Sequence, residues 1–265
     1  MSSKSKHAVI TGGANGIGRC ITETFLHSDI EVTLIDIDKI AGEKLQIRFP
    51  EIQFFHGDIG EKNILDKFVE TIGKPVDFLI NNACVSRKGI LSGCSWEDFD
   101  LVQRVGVIAP YYLTKLLYQK KLLSFGASIV NIASTRAYQS QKDTESYTAA
   151  KGGLIALTHA MSVSLSGHAR VNSISPGWIE TYFYQKNIEY VEQSPENKIQ
   201  HPAGRIGLPE DIAEMALFLC SEKAGFITGE NISVDGGMSK LMIYHDDHGW
   251  EFKTERCPYS KKDKE

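Results

Sequence analysis

Along this chain, short runs of apolar and β-branched residues alternate with longer stretches in which apolar positions recur every three or four residues. The short runs, at 7–11, 31–35, 52–55, 77–80, 128–132, 170–174 and 231–234, have the length and composition of buried strands. The longer stretches, at 16–26, 39–49, 61–72, 96–123, 147–166 and 209–221, have the period of amphipathic helices. Strands that alternate with helices need crossover connections, and these give a parallel sheet covered on both faces. The predicted fold is therefore α/β: one doubly wound parallel sheet of about seven strands with helices on both faces. The expected strand order is 3-2-1-4-5-6-7, with a ligand site outside the carboxyl ends of the strands.

Two segments break the alternation. Residues 178–208 form a long connection rich in Tyr, Gln and Asn, with Pro195 and Pro202. Long ordered loops of this kind usually serve as lids or binding loops. The residues from 253 on are charged and include Pro258, which predicts a disordered tail at 253–265 behind a single domain at 1–252. With 265 residues, 42% of them apolar, the chain is long enough for one well-buried core.

A net charge of −4 without a long basic block gives no reason to expect nucleic acid or an anionic membrane as partner. The start, Met1-Ser2-Ser3-Lys4-Ser5-Lys6, lacks the apolar stretch of a secretory signal, and no run is long enough to span a bilayer. The cysteines (Cys20, Cys84, Cys94, Cys220, Cys257) are odd in number and scattered. They lack metal-ligand spacing and read as free thiols in a reducing cytoplasm.

The chemistry begins at Thr11-Gly12-Gly13-Ala14-Asn15-Gly16-Ile17-Gly18, directly after the first strand. Gly12, Gly16 and Gly18 allow a tight turn and let phosphate oxygens approach backbone amides, while the helix N-terminus favours a pyrophosphate. The second strand runs into Asp36, about 20 residues on, where an acid accepts hydrogen bonds from ribose hydroxyls. A carboxylate there repels a 2′-phosphate, and Asn15 and Ile37 offer no cation. NAD is therefore the expected cofactor and NADP is disfavoured, with Lys39 the one residue placed to reverse that preference. Asp58 with Ile59, and Asn81-Asn82-Ala83, lie on the same sheet edge and are expected along the adenosine cleft.

A second pattern can move a proton. Tyr147 and Lys151 are i,i+4 and share one helix face, and Ser134 follows the fifth strand. Free tyrosine, with a pKa of about 10, is too weakly acidic to act as a base at neutral pH, but a neighbouring ammonium and a nicotinamide cation favour its phenolate. Tyr147 is then the general acid/base, and Ser134 orients the substrate oxygen.

Taken together these residues resemble the short-chain dehydrogenase/reductase family. The resemblance is carried by Thr11–Gly18, Asp58, Asn81-Asn82-Ala83, Ser134, Tyr147-Thr148-Ala149-Ala150-Lys151, Pro176-Gly177-Trp178-Ile179-Glu180-Thr181 and Val234-Asp235-Gly236-Gly237, from residue 7 to about residue 240. It implies a Rossmann-like domain and hydride transfer between a nicotinamide and a hydroxyl or carbonyl. It also implies that Lys151 bonds the nicotinamide ribose, that Pro176, Gly177, Ile179 and Thr181 hold the carboxamide end of the cofactor, and that the protein is a homotetramer or homodimer built on its long helices.

Two positions depart from the family pattern. Gly106 stands where an Asn usually anchors a water behind the lysine. Pro110, which has no N–H, cannot bond the Gly106 carbonyl, so a free carbonyl at a kink is expected there, able to hold that water. The alternative is an impaired relay in an NAD-binding regulatory or scaffold protein. Cys84 replaces a usual Gly and is expected as a packed core thiol.

Arg136, Arg87 and Lys88 lie near the expected substrate pocket and can bind a carboxylate or phosphate, although an ion pair is the expectation for Arg136. The aromatics Tyr182, Phe183, Tyr184 and Tyr190 suit a lid. For the cluster His245, Asp246, Asp247 and His248, flanked by Tyr244, Trp250 and Phe252, a tail packed on a neighbouring subunit is expected and no metal. The function read from the sequence is hydride transfer on a secondary alcohol or ketone of a small polar, possibly anionic, substrate. Reduction of an acyl chain on a carrier protein fits less well, since no basic docking surface is evident.

Overall fold

The computed structural model describes residues 5–185, 190–244 and 246–247. Seven strands form one parallel sheet: β1 (His7–Thr11), β2 (Glu31–Asp36), β3 (Gln53–His56), β4 (Val76–Asn81), β5 (Leu123–Ile132), β6 (Ala169–Pro176) and β7 (Asn231–Val234). Their order is β3-β2-β1-β4-β5-β6-β7, as expected. The helices α1 (Gly16–His27), α2 (Lys39–Arg48) and α3 (Lys62–Thr71) connect the first four strands. The chain reverses direction across the sheet between β1 and β4, which opens a crevice at their carboxyl ends.

Successive residues of each central strand point to opposite faces. Ile10, Leu34, Ile80 and Val130 pack on one face with Phe25 of α1. Their neighbours Val9, Ile35, Leu79 and Ile129 pack on the other with Phe68 of α3. Every one of these strand residues is fully buried. That is why the strands read as continuous apolar runs rather than alternating ones.

The stretch predicted as one helix at 96–123 is three pieces: α4 (Trp96–Gln103), a π-helical turn (Arg104–Ile108) and α5 (Ala109–Gln119). The cause of the π turn lies at Pro110. It has no N–H for the Gly106 carbonyl, and the ladder shifts so that Ala109 N donates to Arg104 O across five residues. α5 then ends in a Schellman turn. Lys121 adopts φ 57°, and Leu122 N donates to Leu117 O at 2.9 Å. Leu122 and Leu123 prolong the apolar period of the helix in sequence, yet Leu123 is the first residue of β5.

α6 (Glu145–Ser164) precedes β6. The connection at 178–208 is more ordered than a plain loop. Its ends are tied by a bridge between Ile179 and Gly207, with Glu180 N donating to Gly207 O at 2.8 Å, and it contains the short helix α7 (Pro195–Ile199). Ser194 caps α7 by accepting from Asn197 N, and Pro195 sits where a missing N–H costs nothing. α8 (Pro209–Cys220) then packs across α1 and leads toward β7. No helix among the described residues is long and apolar enough to cross a membrane. The predicted tail at 253–265 lies outside the described residues.

Candidate active site

The glycine turn is fastened to the end of β4 by side chains. Asn82 N and Ala83 N both donate to Thr11 Oγ1 at 3.1 Å, and Asn82 Nδ2 donates to the carbonyls of Thr11 and Gly12. At Gly12 and Gly18 the turn leaves no room for a side chain. A Cβ at Gly12, where φ is 63°, would lie 2.8 Å from Ala83 Cα, and one at Gly18 would lie 2.0 Å from Gly12 O.

The first amides of α1 have no side-chain cap, because Asn15 donates its Nδ2 to Asp38 Oδ2 instead. An uncapped helix N-terminus reached through a glycine turn is a seat for an anion. Above Gly16 stands Gln185, which donates to Thr181 Oγ1 at 2.8 Å. No feature of the sequence marked Gln185 beforehand, because its place depends on how the 178–208 segment folds back.

Asp36 is 7% exposed and accepts from Ala14 N and Asp38 N, both at 2.9 Å. Burial pushes its carboxyl above the ordinary aspartate value, and the donated N–H bonds offset this only in part. Lys39 turns outward and pairs with Glu43 at 3.8 Å, while Asp38 adds a second carboxylate to the loop after β2.

A cleft of about 550 Å³ joins these parts. Of the residues predicted to bind cofactor, Gly12, Asn15, Gly16, Ile17, Gly18, Asp36, Asp58, Ile59, Ala83 and Thr181 line it. Asn81 does not. It faces the core, where its Nδ2 donates to Asn131 Oδ1 at 2.8 Å, and Asn82 takes its place at the cleft. Pro176, Gly177 and Ile179 also lie outside the lining. Gly177 is packed against Asp235, and Ile179 bridges to Gly207. A cleft with glycine turn, open helix N-terminus and buried carboxylate fits a dinucleotide.

The proton-transfer residues meet beyond β5. Lys151, 2% exposed, donates from Nζ to Ile132 O at 2.6 Å. The same Nζ lies 5.5 Å from the centre of the Tyr147 ring, and the Arg136 guanidinium lies 5.7 Å from it. Ser134 starts the turn that carries Arg136 and accepts from Arg136 N at 3.2 Å.

The opposite wall is pinned by two carboxylates from just before and at the start of α6. Asp143, at φ 67°, accepts from Gly89 N (3.1 Å), Leu91 N (2.8 Å) and the Ser92 hydroxyl. Glu145 accepts from Ile90 N at 3.2 Å. These donors hold the Asp143 carboxyl below its usual range, the Ser92 hydroxyl foremost.

Gly106 abuts α6, and a Cβ there would sit 2.8 Å from Ala150 Cβ. The substitution Gly106→Asn is therefore expected to force α4 and α6 apart. It should destabilise the fold by about 1–3 kcal/mol, without a gain in rate. Thermal melts check this, and adding Ala150→Gly should recover most of the loss.

Three expectations need correcting. Cys84 is not a packed core thiol; it is exposed and lines the cleft, because the chain leaves the sheet at Asn82. Arg136 makes no ion pair among the described residues, whereas Arg87 pairs with Asp98 at 3.1 Å. The four aromatics do not form one set: Tyr182 packs on Phe183 and Tyr190 with ring centres 3.7 and 4.6 Å away, and Tyr184 stands apart. Tyr184 is anchored on the body of the protein, donating to Glu210 at 2.7 Å with Arg19 over its ring, while Phe183 stays exposed. Of the cluster at 245–248, His245 and His248 lie outside the described residues. No metal-holding group occurs among those that are described.

The sequence model of the enoyl-(acyl carrier protein) reductase family matches residues 12–239. An uncharacterized oxidoreductase of Thermotoga maritima is 44% identical over 255 residues, spanning 92% of this chain and 99% of that protein. The solved structure of an apo SCOR enzyme from Clostridium thermocellum aligns with a TM-score of 0.85 and 43% identity, covering 96% of this chain and all of the other (100%). A 3-ketoacyl-(acyl-carrier-protein) reductase from Brucella melitensis, solved in complex with NADH, aligns with a TM-score of 0.77 and 30% identity over 89% of this chain and 99% of its own.

Proposed function

The chain belongs to the short-chain dehydrogenase/reductase family as an NAD(P)-dependent oxidoreductase acting on CH–OH groups, and from that premise we propose that Tyr147 is its general acid/base and NAD its preferred cofactor. The observation that carries the first part is the buried Lys151 ammonium, fixed by the Ile132 carbonyl beside the Tyr147 ring. An ammonium has three N–H donors, and the Ile132 carbonyl takes one. The others are left for a ribose hydroxyl, and the ammonium stands beside the ring whose hydroxyl would carry the proton.

A nicotinamide cofactor held by the glycine turn, Asp36 and Thr181 would supply the hydride acceptor for the alcohol carbon. Tyr147 Oη takes the hydroxyl proton, and Ser134 Oγ holds the oxygen as it becomes a carbonyl. The Gly106 carbonyl, without an i+4 donor, offers an acceptor for a water behind Lys151, in the role an Asn side chain usually fills. The exposed side chains of Trp96, Phe99, Ile108 and Tyr111 suit packing against a second copy of the chain, and we assign homo-oligomerisation to that face. The direct test of the reaction is NADH formation from a panel of small secondary alcohols.

For the cofactor, Asp36 and Asp38 place negative charge where a 2′-phosphate would lie, and Lys39 is paired with Glu43. NAD is expected to bind at least 10-fold tighter than NADP, and Asp36→Ala should remove most of that preference, as read by calorimetric titration. A pH dependence follows. Only the ionised carboxylate accepts from both ribose hydroxyls, so NAD affinity should weaken as pH falls through the raised Asp36 pKa. Asp36→Asn should flatten the curve. The sign for the unliganded fold is opposite. A carboxyl raised by burial gives stability that is full below its unfolded pKa and is lost as pH rises through the folded one.

A further inference from the structure

We propose that Arg136 anchors an anionic group of the substrate, so that the alcohol or ketone is a short hydroxy or oxo acid; this rests on the hydride-transfer reading above. The first argument is a comparison of arginines. Arg19 and Arg48 share Glu23, Arg87 meets Asp98, Arg104 meets Glu61 and Asp100, and Arg205 meets Asp211. Arg170 lacks a carboxylate but donates to the carbonyls of Ser221 and Ile227. Arg136 is half-buried as a residue, and the only hydrogen-bond partner of its guanidinium among the described residues is the neutral side-chain oxygen of Gln141. It carries five N–H donors in a fork that matches a carboxylate, and most of that fork is unused.

The second argument is position. Ser134 and Arg136 belong to one short turn, and the Arg136 N–H bonds Ser134 Oγ. The residue whose hydroxyl would orient the reacting oxygen and the residue that would hold the anion therefore stand two positions apart on one turn. The Arg136 and Lys151 cations both flank the Tyr147 ring. An oxidised nicotinamide bound beside them would add a further positive charge. A substrate carboxylate would supply the counter-charge that no side chain among the described residues brings in an ion pair. A neutral alcohol would leave that fork unmatched.

In the oxidation, the carbinol C–H electron pair leaves as hydride to the oxidised nicotinamide. The O–H proton passes to Tyr147 Oη and on to solvent, and the C–O bond becomes C=O. The carboxylate is unchanged and stays on Arg136.

The test compares 2- and 3-hydroxy acids, from lactate to 3-hydroxybutyrate, with their methyl esters in the native enzyme and in Arg136→Gln and Arg136→Lys. The native enzyme should favour an acid over its ester. Arg136→Gln should cut that acid-to-ester ratio in kcat/KM by about 10- to 100-fold, mainly through KM, with Arg136→Lys recovering part of it. An unchanged ratio, or a loss in kcat with a shifted pH profile that is equal for acid and ester, would overturn the anchor and leave Arg136 acting on Tyr147 alone. Tyr147-dependent turnover of neutral alcohols only would also overturn it while keeping the hydride-transfer reading. Absence of Tyr147-dependent turnover with acids, esters and neutral alcohols alike would remove both.

Discussion

Tyr147→Phe is expected to lower turnover by about 10²- to 10⁴-fold while NADH still binds, because the change removes one oxygen and keeps the ring. The ring is what Arg136 and Lys151 flank, so the packing of this part of the site should survive. Steady-state NADH formation measures the first effect and fluorescence titration with NADH the second. If turnover persisted near the native level, the proton would have another acceptor and the role assigned to Tyr147 would be wrong.

The second large effect is expected at Gly18. In Gly18→Ala the new methyl would meet Gly12 O at 2.0 Å and Asn82 Nδ2 at 2.4 Å. Neither atom can yield cheaply, since Asn82 Nδ2 is already bonded to the carbonyls of Thr11 and Gly12. The turn must open or α1 must move. Stability should fall by about 3 kcal/mol, or roughly 10 °C in Tm for a domain of this size, and cofactor affinity should fall with it. Gly73→Ala is the control. A Cβ there meets nothing within 4 Å, and its melting curve should be nearly native.

The strands and their order were legible because buried parallel strands are continuous apolar runs, and because the glycine turn fixes which strand comes first. What misled at 96–123 was an apolar rhythm that carries through Leu116 and Leu117 into Leu122 and Leu123, across a helix end made by a non-glycine residue, Lys121, at positive φ. Pro110 did announce a disturbance, and the π turn is the form it took.

Along the cleft, Gly12, Gly18 and Asp36 could be placed from sequence, because a turn or a strand end fixes their positions. The ones set by a loop's path could not. Asn81 and Asn82 are adjacent letters, and only the twist of the chain leaving β4 decides that the second faces the cleft. The place of Gln185, and the lack of an ion pair at Arg136 among the described residues, depend on contacts far along the chain, and neither has a local signature.

Asp143 and Glu145 fasten the loop at 89–92 to the start of the helix that bears Tyr147 and Lys151. The loop and the start of that helix are therefore one mechanical unit, although some fifty positions separate them in the chain. Transplanting either segment alone from a relative would sever the joint. A chimera that carries the 84–95 loop together with the 134–145 turn keeps it whole.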